Sequence, residues 1–485
     1  MAAEPVAGAL ELPALRRTSS GRALTVGVAE RRAILLLGDL AALLLSLALT
    51  ALYVPKPTWL FTFTTPERVV TPESVVVLAL LWLLASILAD CYDLTLARSK
   101  YYGPLRAAGV AFLVHVAYPL IPIVAPPMLK STFVWAALAG ISVVATALWR
   151  TLYATVVSRH PIMTMRTVIV GDGNSGRLIA ETLQANPGSG YVPVAFVSER
   201  RAHVGTKLAG LPVTGSLDDL AQVIEGAAAK EVVVATDGPV GSDAYGALTL
   251  AYESGVRVTP MVSLYERVTS QTPVQHVGEH WLAVMPQPGE GSAVNAFVKR
   301  GLDVLGGLVG LIVLALLATP IALAIRLDSH GPVLFSQDRV GRGGRAFRIY
   351  KFRTLPLAQA PELSIWERKV TRPTRVGRWL RRLRLDELPQ FWNVLIGDMS
   401  LVGPRPFVPA DVEELQRHIP FFRARHLVRP GLTGWAQIKA PYGTTLEDEL
   451  AKLQYDLYYI RHQSLAFDLA ILIKTIVVLL RLAGR

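Results

Sequence analysis

At 485 residues the chain exceeds one ordinary domain and predicts roughly three units of about 150 residues. Apolar residues make up 52% of it and charged residues only 18%, which is too apolar for a typical soluble protein and points to membrane segments. The net charge of +12 asks for an anionic partner, and the single cysteine, Cys91, excludes an intramolecular disulfide and a multi-cysteine zinc site and fits a reducing compartment.

In chain order, residues 1–30 form a cytoplasmic tail carrying Arg16, Arg17 and Arg22. The apolar run that follows has no small-residue cleavage site, so a retained first helix is expected. Residues 31–155 contain four runs of about membrane-crossing length: Ala33 to Val54, Ser74 to Leu88, Ala107 to Val124 and Phe133 to Trp149. Asp39 is the exceptional charge within them. A buried bundle of a soluble domain competes, but few charges interrupt the runs. Arg31 and Arg32, then Arg98, Lys100 and Arg106, then Arg150, Arg159 and Arg166 mark cytoplasmic ends, whereas the opposite loops hold only Lys56, Arg68 and Lys130. Both ends of a four-helix transmembrane bundle are therefore expected in the cytoplasm.

The next stretch, Arg166 to Gly176, is a β-branched run turning into a glycine-rich loop, with helical Arg177 to Ala185 behind it. Gly171, Gly173 and Gly176 have the spacing that lets backbone approach a pyrophosphate at a helix N-terminus. Further strands at Val192 to Val197 and Glu231 to Ala235, with helical Leu217 to Gly226 between, predict a Rossmann-like α/β domain over 165–265. Its glycines serve either a nucleotide or only packing. A linker over 266–291 follows.

A fifth apolar run, from about 294 to 327, has Lys299 and Arg300 near its start and Arg326 near its end, so charge bias wants both ends on one side. Pro320, preceded by Thr319, lies inside it and would bend the helix into a re-entrant hairpin; a mildly kinked spanning helix is the alternative.

Charges then concentrate. Alternation from Ala346 to Arg353 predicts a strand whose basic residues, Lys351 and Arg353 among them, share one face. An arginine cluster, Arg375, Arg378, Arg381, Arg382 and Arg384, runs into Asp386-Glu387. Phosphoryl transfer needs both positive charge and carboxylates that hold a divalent cation; a solvated helix with internal ion pairs is the plainer reading. Pro404 and Pro406 bracket Arg405 and fix its backbone, as suits a guanidinium that clamps phosphate, with a structural turn as competitor. In Arg425 to Gln437, Trp435 suits either a membrane interface or a stacked base, and His426 suits a surface or phosphate-facing position.

These stretches, in this order, resemble the bacterial sugar transferase family of polyprenyl-phosphate sugar-1-phosphate transferases. The resemblance runs over about 295–483 and rests on Lys351-Phe-Arg353, Leu385-Asp-Glu-Leu-Pro389, Asn393-Val394, Gly397 to Pro406, Arg429 to Gln437 and Tyr455 to Tyr459. It implies an α+β monotopic phosphosugar transferase domain over 292–485 with a re-entrant helix, behind the bundle and the Rossmann-like domain, as in large members that begin exopolysaccharide, capsule or O-antigen units. It also implies transfer of a hexose-1-phosphate from a UDP-sugar to undecaprenyl phosphate at the cytoplasmic face of the inner membrane, with release of UMP. Asp386 would be the nucleophile and Glu387, with Asp386, a ligand of Mg2+. Lys351, Arg353, Arg381 and Arg405 would neutralise phosphates. Departures fall at Pro320, at Leu355 in place of a common methionine, and at Lys439 to Thr445, a stretch placed to influence sugar choice. The tail from Leu465 to Leu482 suits an interfacial helix, with a core helix as alternative.

A nucleotide-sugar oxidoreductase is disfavoured because no Tyr-x-x-x-Lys pair lies near the Rossmann-like domain. A catalytically degenerate assembly protein of polysaccharide export is the other alternative. Nucleic acid is not an expected partner, since the basic residues sit beside apolar segments and carboxylates and form no aromatic-interleaved groove. Membrane lipid is an expected partner, and self-association into a homo-oligomer is left open.

Overall fold

A computed structural model of the chain describes residues 26–53, 72–121, 132–238, 241–274, 293–356, 372–440 and 445–480. Two compact units emerge, Met1–Leu264 and Tyr265–Arg485. The tail before residue 26, Val54, residues 122–124, the loop cations Lys56, Arg68 and Lys130, most of the expected linker and residues 441–444 lie outside the described residues.

The first unit opens with apolar helices α1 (Val28–Tyr53), α2 (Pro72–Leu88), the short α3 (Leu94–Ala97), α4 (Tyr102–Ala117) and α5 (Thr132–Thr155). Leucine, alanine and valine cover all sides of α1, so helix is the conformation that satisfies its backbone without water. Helices Val28–Leu52 and Phe133–Arg159 are long and apolar enough to cross a membrane. The second and third expected spans correspond to shorter helices, α2 of 17 residues and α4 of 16, below the ~20 that a bilayer core asks of an untilted helix. Inside the bundle Arg150 donates from Nε to Asp39 Oδ1 at 2.9 Å and from Nη1 to the Cys91 carbonyl at 2.7 Å. Two isolated ions there would each cost several kcal/mol; pairing makes the burial tolerable. Arg150 is therefore an internal partner of Asp39 and not the solvated flank that charge counting assigned. Arg31 and Arg98 do behave as a common end: they donate to the Ser189 and Pro187 carbonyls, at 2.8 and 2.6 Å, in a turn of the α/β domain that follows.

That domain is a six-stranded sheet in the order β3-β4-β2-β1-β5-β6. Its strands are β1 (Met165–Val170), β2 (Tyr191–Ser198), β3 (Lys207–Leu208), β4 (Leu211–Ser216), β5 (Glu231–Val234) and β6 (Arg257–Pro260). All neighbours pair parallel except β3 with β4. Strands buried on both faces read as continuous apolar runs, as Val168, Val170, Val197 and Val232 do against Leu220 of α7 (Leu220–Gly226) and Leu248 of α8 (Ser242–Glu253). Each such side chain contributes about 1.5–3 kcal/mol by leaving water. The helix α6 (Asn174–Ala185) follows β1. The expected Rossmann-like topology is present.

The division between units falls within α9 (Met261–Thr269). The stretch expected to start a linker is instead packed into the second unit: Glu266 bridges to Arg461 at 2.8 Å, Thr272 donates to Glu266 at 2.6 Å, and Thr272 N bonds the Gln454 carbonyl at 3.0 Å. The spine of this unit is α10 (Ala293–Asp328), 36 residues long. It stays helical through Thr319 and Pro320. The inward positions Asp303, Gly307, Gly310, Ile321 and Ile325 keep helical spacing across the proline, and Thr319 and Pro320 lie on the exposed side, where losing one backbone donor displaces no packed neighbour. Gly310 is small because Phe391 lies against it.

Around α10 pack the antiparallel hairpin β7 (Leu334–Val340) and β8 (Ala346–Phe352), helices α11 (Arg375–Arg382) and α12 (Gln390–Ile396), and strand β9 (Ser400–Val402). Helix α13 (Pro409–His418), strand β10 (Gly431–Thr433) parallel to β9, and helices α14 (Trp435–Lys439), α15 (Leu446–Arg461) and α16 (Leu465–Leu480) complete the unit. Ile321 and Ile325 meet Phe352 and Leu380 in its core.

Candidate active site

Thr374 caps α11, its hydroxyl accepting from Gly377 N at 3.0 Å, and Gly377 is bare because a Cβ there would strike the Thr354 backbone. The helix ends at Arg382, and Arg384, whose φ of 56° is left-handed, turns the chain into a single turn, Leu385–Glu387. That turn sets Asp386 and Glu387 beside Lys351, the penultimate residue of β8.

Glu387 Oε1 accepts from Lys351 Nζ at 3.0 Å and from Arg405 Nη2 at 3.2 Å, with Arg384 Nη1 3.9 Å from Oε2. Burial alone would raise its pKa, but Lys351, Arg405 and Arg384 hold it well below the usual carboxylate range. Asp386, 8% exposed, has an Oδ1 buried without a hydrogen-bond partner. Burial, with the Glu387 charge beside it, pushes its carboxyl up, and Lys351, Arg381 and Arg384 offset only part of that rise. Two adjacent carboxylates thus have different tasks open to them: Glu387 is ionised and engaged by cations, whereas Asp386 is the more basic and keeps an oxygen for a new partner.

The expected cations divide. Arg381 donates from Nε to Thr354 Oγ1 at 2.9 Å and acts on Asp386 through its charge. Arg405 is held by its backbone: the Pro404 carbonyl accepts from Gly431 N at 2.9 Å, the Arg405 carbonyl from Arg425 at 3.3 Å, and the Pro406 carbonyl from Arg339 at 3.2 Å. Its side chain is 45% exposed at the rim, where a substrate phosphate can reach it. Arg353 departs from expectation. It lies past the end of β8 and gives Nη1 to the His330 carbonyl at 2.7 Å and Nη2 to the Ser329 carbonyl at 2.8 Å, tying down the C-terminus of α10. In this structure its hydrogen bonds hold that helix end.

Other motif residues prove architectural. Asn393, fully buried, donates to the Arg348 carbonyl at 2.8 Å and accepts from Tyr350 N at 3.4 Å, which fixes β8 to α12. Trp435 is neither at a surface nor under a base: it is buried, donates to the Ser270 carbonyl at 3.1 Å and stacks edge-on against Phe467. His426 is buried as well, and burial with Arg425 and Arg423 nearby lowers its pKa to about 4, so it is neutral at pH 7. Lys299 joins Asp468 at 2.6 Å, Tyr459 donates to the same carboxylate at 2.7 Å, and Asp303 accepts from Ser400 Oγ and Leu401 N. Thr354, which orients Arg381, is a supporting residue that sequence reasoning passed over, and the left-handed turn at Arg384 is a feature it did not show. Only a positive φ or a contact map reveals them.

Among the described residues no group of three or more His, Cys, Asp or Glu side chains forms a complete metal cage. The unpartnered Asp386 Oδ1 beside Glu387 is a partial oxygen donor set of the kind a Mg2+ site uses, such an ion drawing its remaining ligands from phosphate and water. The residues fit the ion.

A largely buried carboxylate pair ringed by lysine and arginine thus sits on an α+β unit built around a long apolar helix. Residues 294–482 match the family model described as bacterial sugar transferase, and residues 88–237 match one described as a CoA-binding domain. Over 181 residues the chain is 45% identical to a UDP-glucose:undecaprenyl-phosphate glucose-1-phosphate transferase of Caulobacter vibrioides, covering 37% of this chain and 68% of that protein. It is 39% identical over 191 residues to the exopolysaccharide production protein PSS of Rhizobium leguminosarum bv. phaseoli, covering 38% of this chain and 96% of that one. A UDP-N-acetylgalactosamine-undecaprenyl-phosphate N-acetylgalactosaminephosphotransferase of Aeromonas hydrophila is 43% identical over 213 residues, 44% of this chain and 49% of that protein. The chain thus spans about half the length of the Aeromonas relative, and 40% of two further ones. The chain belongs to the bacterial sugar transferase family.

Proposed function

We propose that the chain transfers a hexose-1-phosphate from a UDP-sugar to undecaprenyl phosphate, the first membrane step of a polysaccharide repeat unit. The observation that carries this reading is Asp386 Oδ1, buried and unpartnered beside a glutamate already engaged by Lys351 and Arg405. In the first step Asp386 attacks the β-phosphorus of the donor, the bond from that phosphorus to the bridging oxygen breaks, and UMP leaves with the electron pair. An aspartyl-phosphosugar remains. In the second step an oxygen of undecaprenyl phosphate attacks the same phosphorus, and the Asp386 carboxylate leaves to give the polyprenyl-diphosphate-sugar. Arg405 at the rim and Arg381 near Asp386 are positioned to meet the anionic donor, and Glu387 keeps Lys351 and Arg405 in place. Mg2+, held by Asp386 and Glu387, would supply charge neutralisation at the pyrophosphate.

The same reading places the chain in the cytoplasmic membrane as a multi-pass protein, with the transferase unit on the cytoplasmic face and α10 re-entrant. Both ends of α10 are tethered to one domain: Arg300 donates to the Val394 and Leu395 carbonyls, and Asp328 accepts from Val376 N. Ends held by one polar domain favour a single side for both, which asks α10 to bend at Thr319–Pro320 while staying helical. Its outward positions, among them Phe297, Leu305, Ile312, Leu316 and Leu323, are exposed and apolar, and Trp379 and Trp392 flank the catalytic turn at 63% and 47% exposure. A lipid-borne phosphate would then reach Asp386 without leaving the membrane surface.

Purified full chain in nanodiscs, given Mg2+, undecaprenyl phosphate and a panel of UDP-sugars, should release UMP from one donor, and Asp386→Asn should not. Release that is undiminished in the variant contradicts the assignment of Asp386. If the folded protein uses no donor, an assembly role without turnover replaces the proposal.

A further inference from the structure

The glycine-rich loop after β1 has the fingerprint spacing for a nucleotide pyrophosphate, and the family model over that region carries the description of a CoA-binding domain. Each of its glycines has an occupant within the protein. At Gly171, with a φ of 109°, a Cβ would strike the Ala235 carbonyl; at Gly176 it would strike the Gly171 carbonyl and approach Phe196. Gly173, the position that lets a pyrophosphate come close, instead admits the carboxylate of Asp237, which a Cβ would overlap. Asp237 Oδ2 accepts from Asn174 N at 2.8 Å and Oδ1 from Ser175 N at 2.9 Å, so one carboxylate takes two of the amides that open α6.

We propose that Asp237 is a built-in substitute for a nucleotide phosphate, and that the Rossmann-like domain consequently carries neither a dinucleotide nor coenzyme A at this loop. A carboxylate on two N-terminal amides is charge-assisted and favoured by the helix dipole, as a phosphate would be. An entering pyrophosphate would have to displace it against like charge. The next loop residue adds a second carboxylate: Asp172 is held by His203 Nδ1 at 2.5 Å and by Ser198 Oγ at 2.9 Å. The fingerprint is kept for packing and for this internal contact.

Hydrogen exchange and equilibrium binding on the full chain in nanodiscs test the proposal, with coenzyme A and NAD+ as probes. Wild type should protect the Asn174 and Ser175 amides without ligand and show no saturable binding of either probe at millimolar concentration. Asp237→Gly should raise exchange at those two amides roughly tenfold, the loss typical of a removed cap. Asp237→Asn, which keeps the shape and one acceptor oxygen, should lie between the two and guards against a variant that fails to fold. Saturable binding of either probe to wild type, with added protection at Asn174 and Ser175, would overturn the proposal. So would exchange at these amides that is unchanged in both variants.

Discussion

Two candidate anion cradles in this chain differ in sequence and in what fills them. The loop after β1 offers backbone donors at a helix start, and Asp237 already satisfies two of them. The turn at Asp386 offers cations around a glutamate, and its neighbouring carboxylate oxygen is buried without a partner. An unpaired polar atom in a buried position costs free energy and calls for a partner, whereas a satisfied loop needs no ligand. The difference between a motif and a site is this accounting of donors and acceptors.

The largest effect that sharpens the contrast is loss of the nucleophile. Asp386→Asn should lower turnover by at least ~10^3-fold, since the proposed covalent link is assigned to that carboxylate. Its melting temperature should be no lower than that of wild type, because the substitution removes a buried charge whose carboxyl burial already disfavours. Next, Arg405→Ala and Lys351→Met should each cost on the order of 10^2-fold in kcat/KM by steady-state UMP release. Arg353→Gln should act differently: it breaks charged bonds to two carbonyls and should cost about 1.5–3 kcal/mol of stability in a denaturant titration.

The pH dependence follows from the same split. The proposed attack needs Asp386 ionised, and its pKa is raised above the ordinary aspartate value of 3.8, so the acid limb of kcat/KM should lie at higher pH than a free aspartate would set. For stability the signs oppose. The raised Asp386 favours the folded state below its folded pKa and loses that contribution as pH rises through it. The depressed Glu387 contributes above its unfolded value of 4.5, a contribution lost as pH falls toward its folded pKa. A pH profile of Asp386→Asn stability should therefore lose the first slope and keep the second. Smallest of all, Thr374→Ala removes the cap of α11 and should cost about 1 kcal/mol by thermal melting.

Much of this was readable from residues alone. Asp386, Glu387 and Arg405 lie in local motifs whose chemistry is carried by residue type, and the β-branched runs of the α/β domain announce buried parallel strands. What escaped depended on long-range geometry. Strand alternation put Arg353 beside Lys351, but β8 ends at Phe352, and one residue past a strand the two-residue period no longer governs direction. Arg150 read as a flank because its partner Asp39 is 111 residues away, and Asp237 lies 63 residues from the amide it caps. Pro320 falls on the exposed side of α10, where the helix can lose one bond and no packing, a placement that the apolar run alone does not reveal.

The most direct test of the central claim is a single-turnover reaction without acceptor. Full chain with Mg2+ and the accepted UDP-sugar should release UMP in a burst bounded by the enzyme concentration, and intact-protein mass should rise by one hexose-phosphate located on the peptide containing Asp386. Undecaprenyl phosphate should then discharge that mass. A burst with no mass gain, or a label on another residue, would contradict the account.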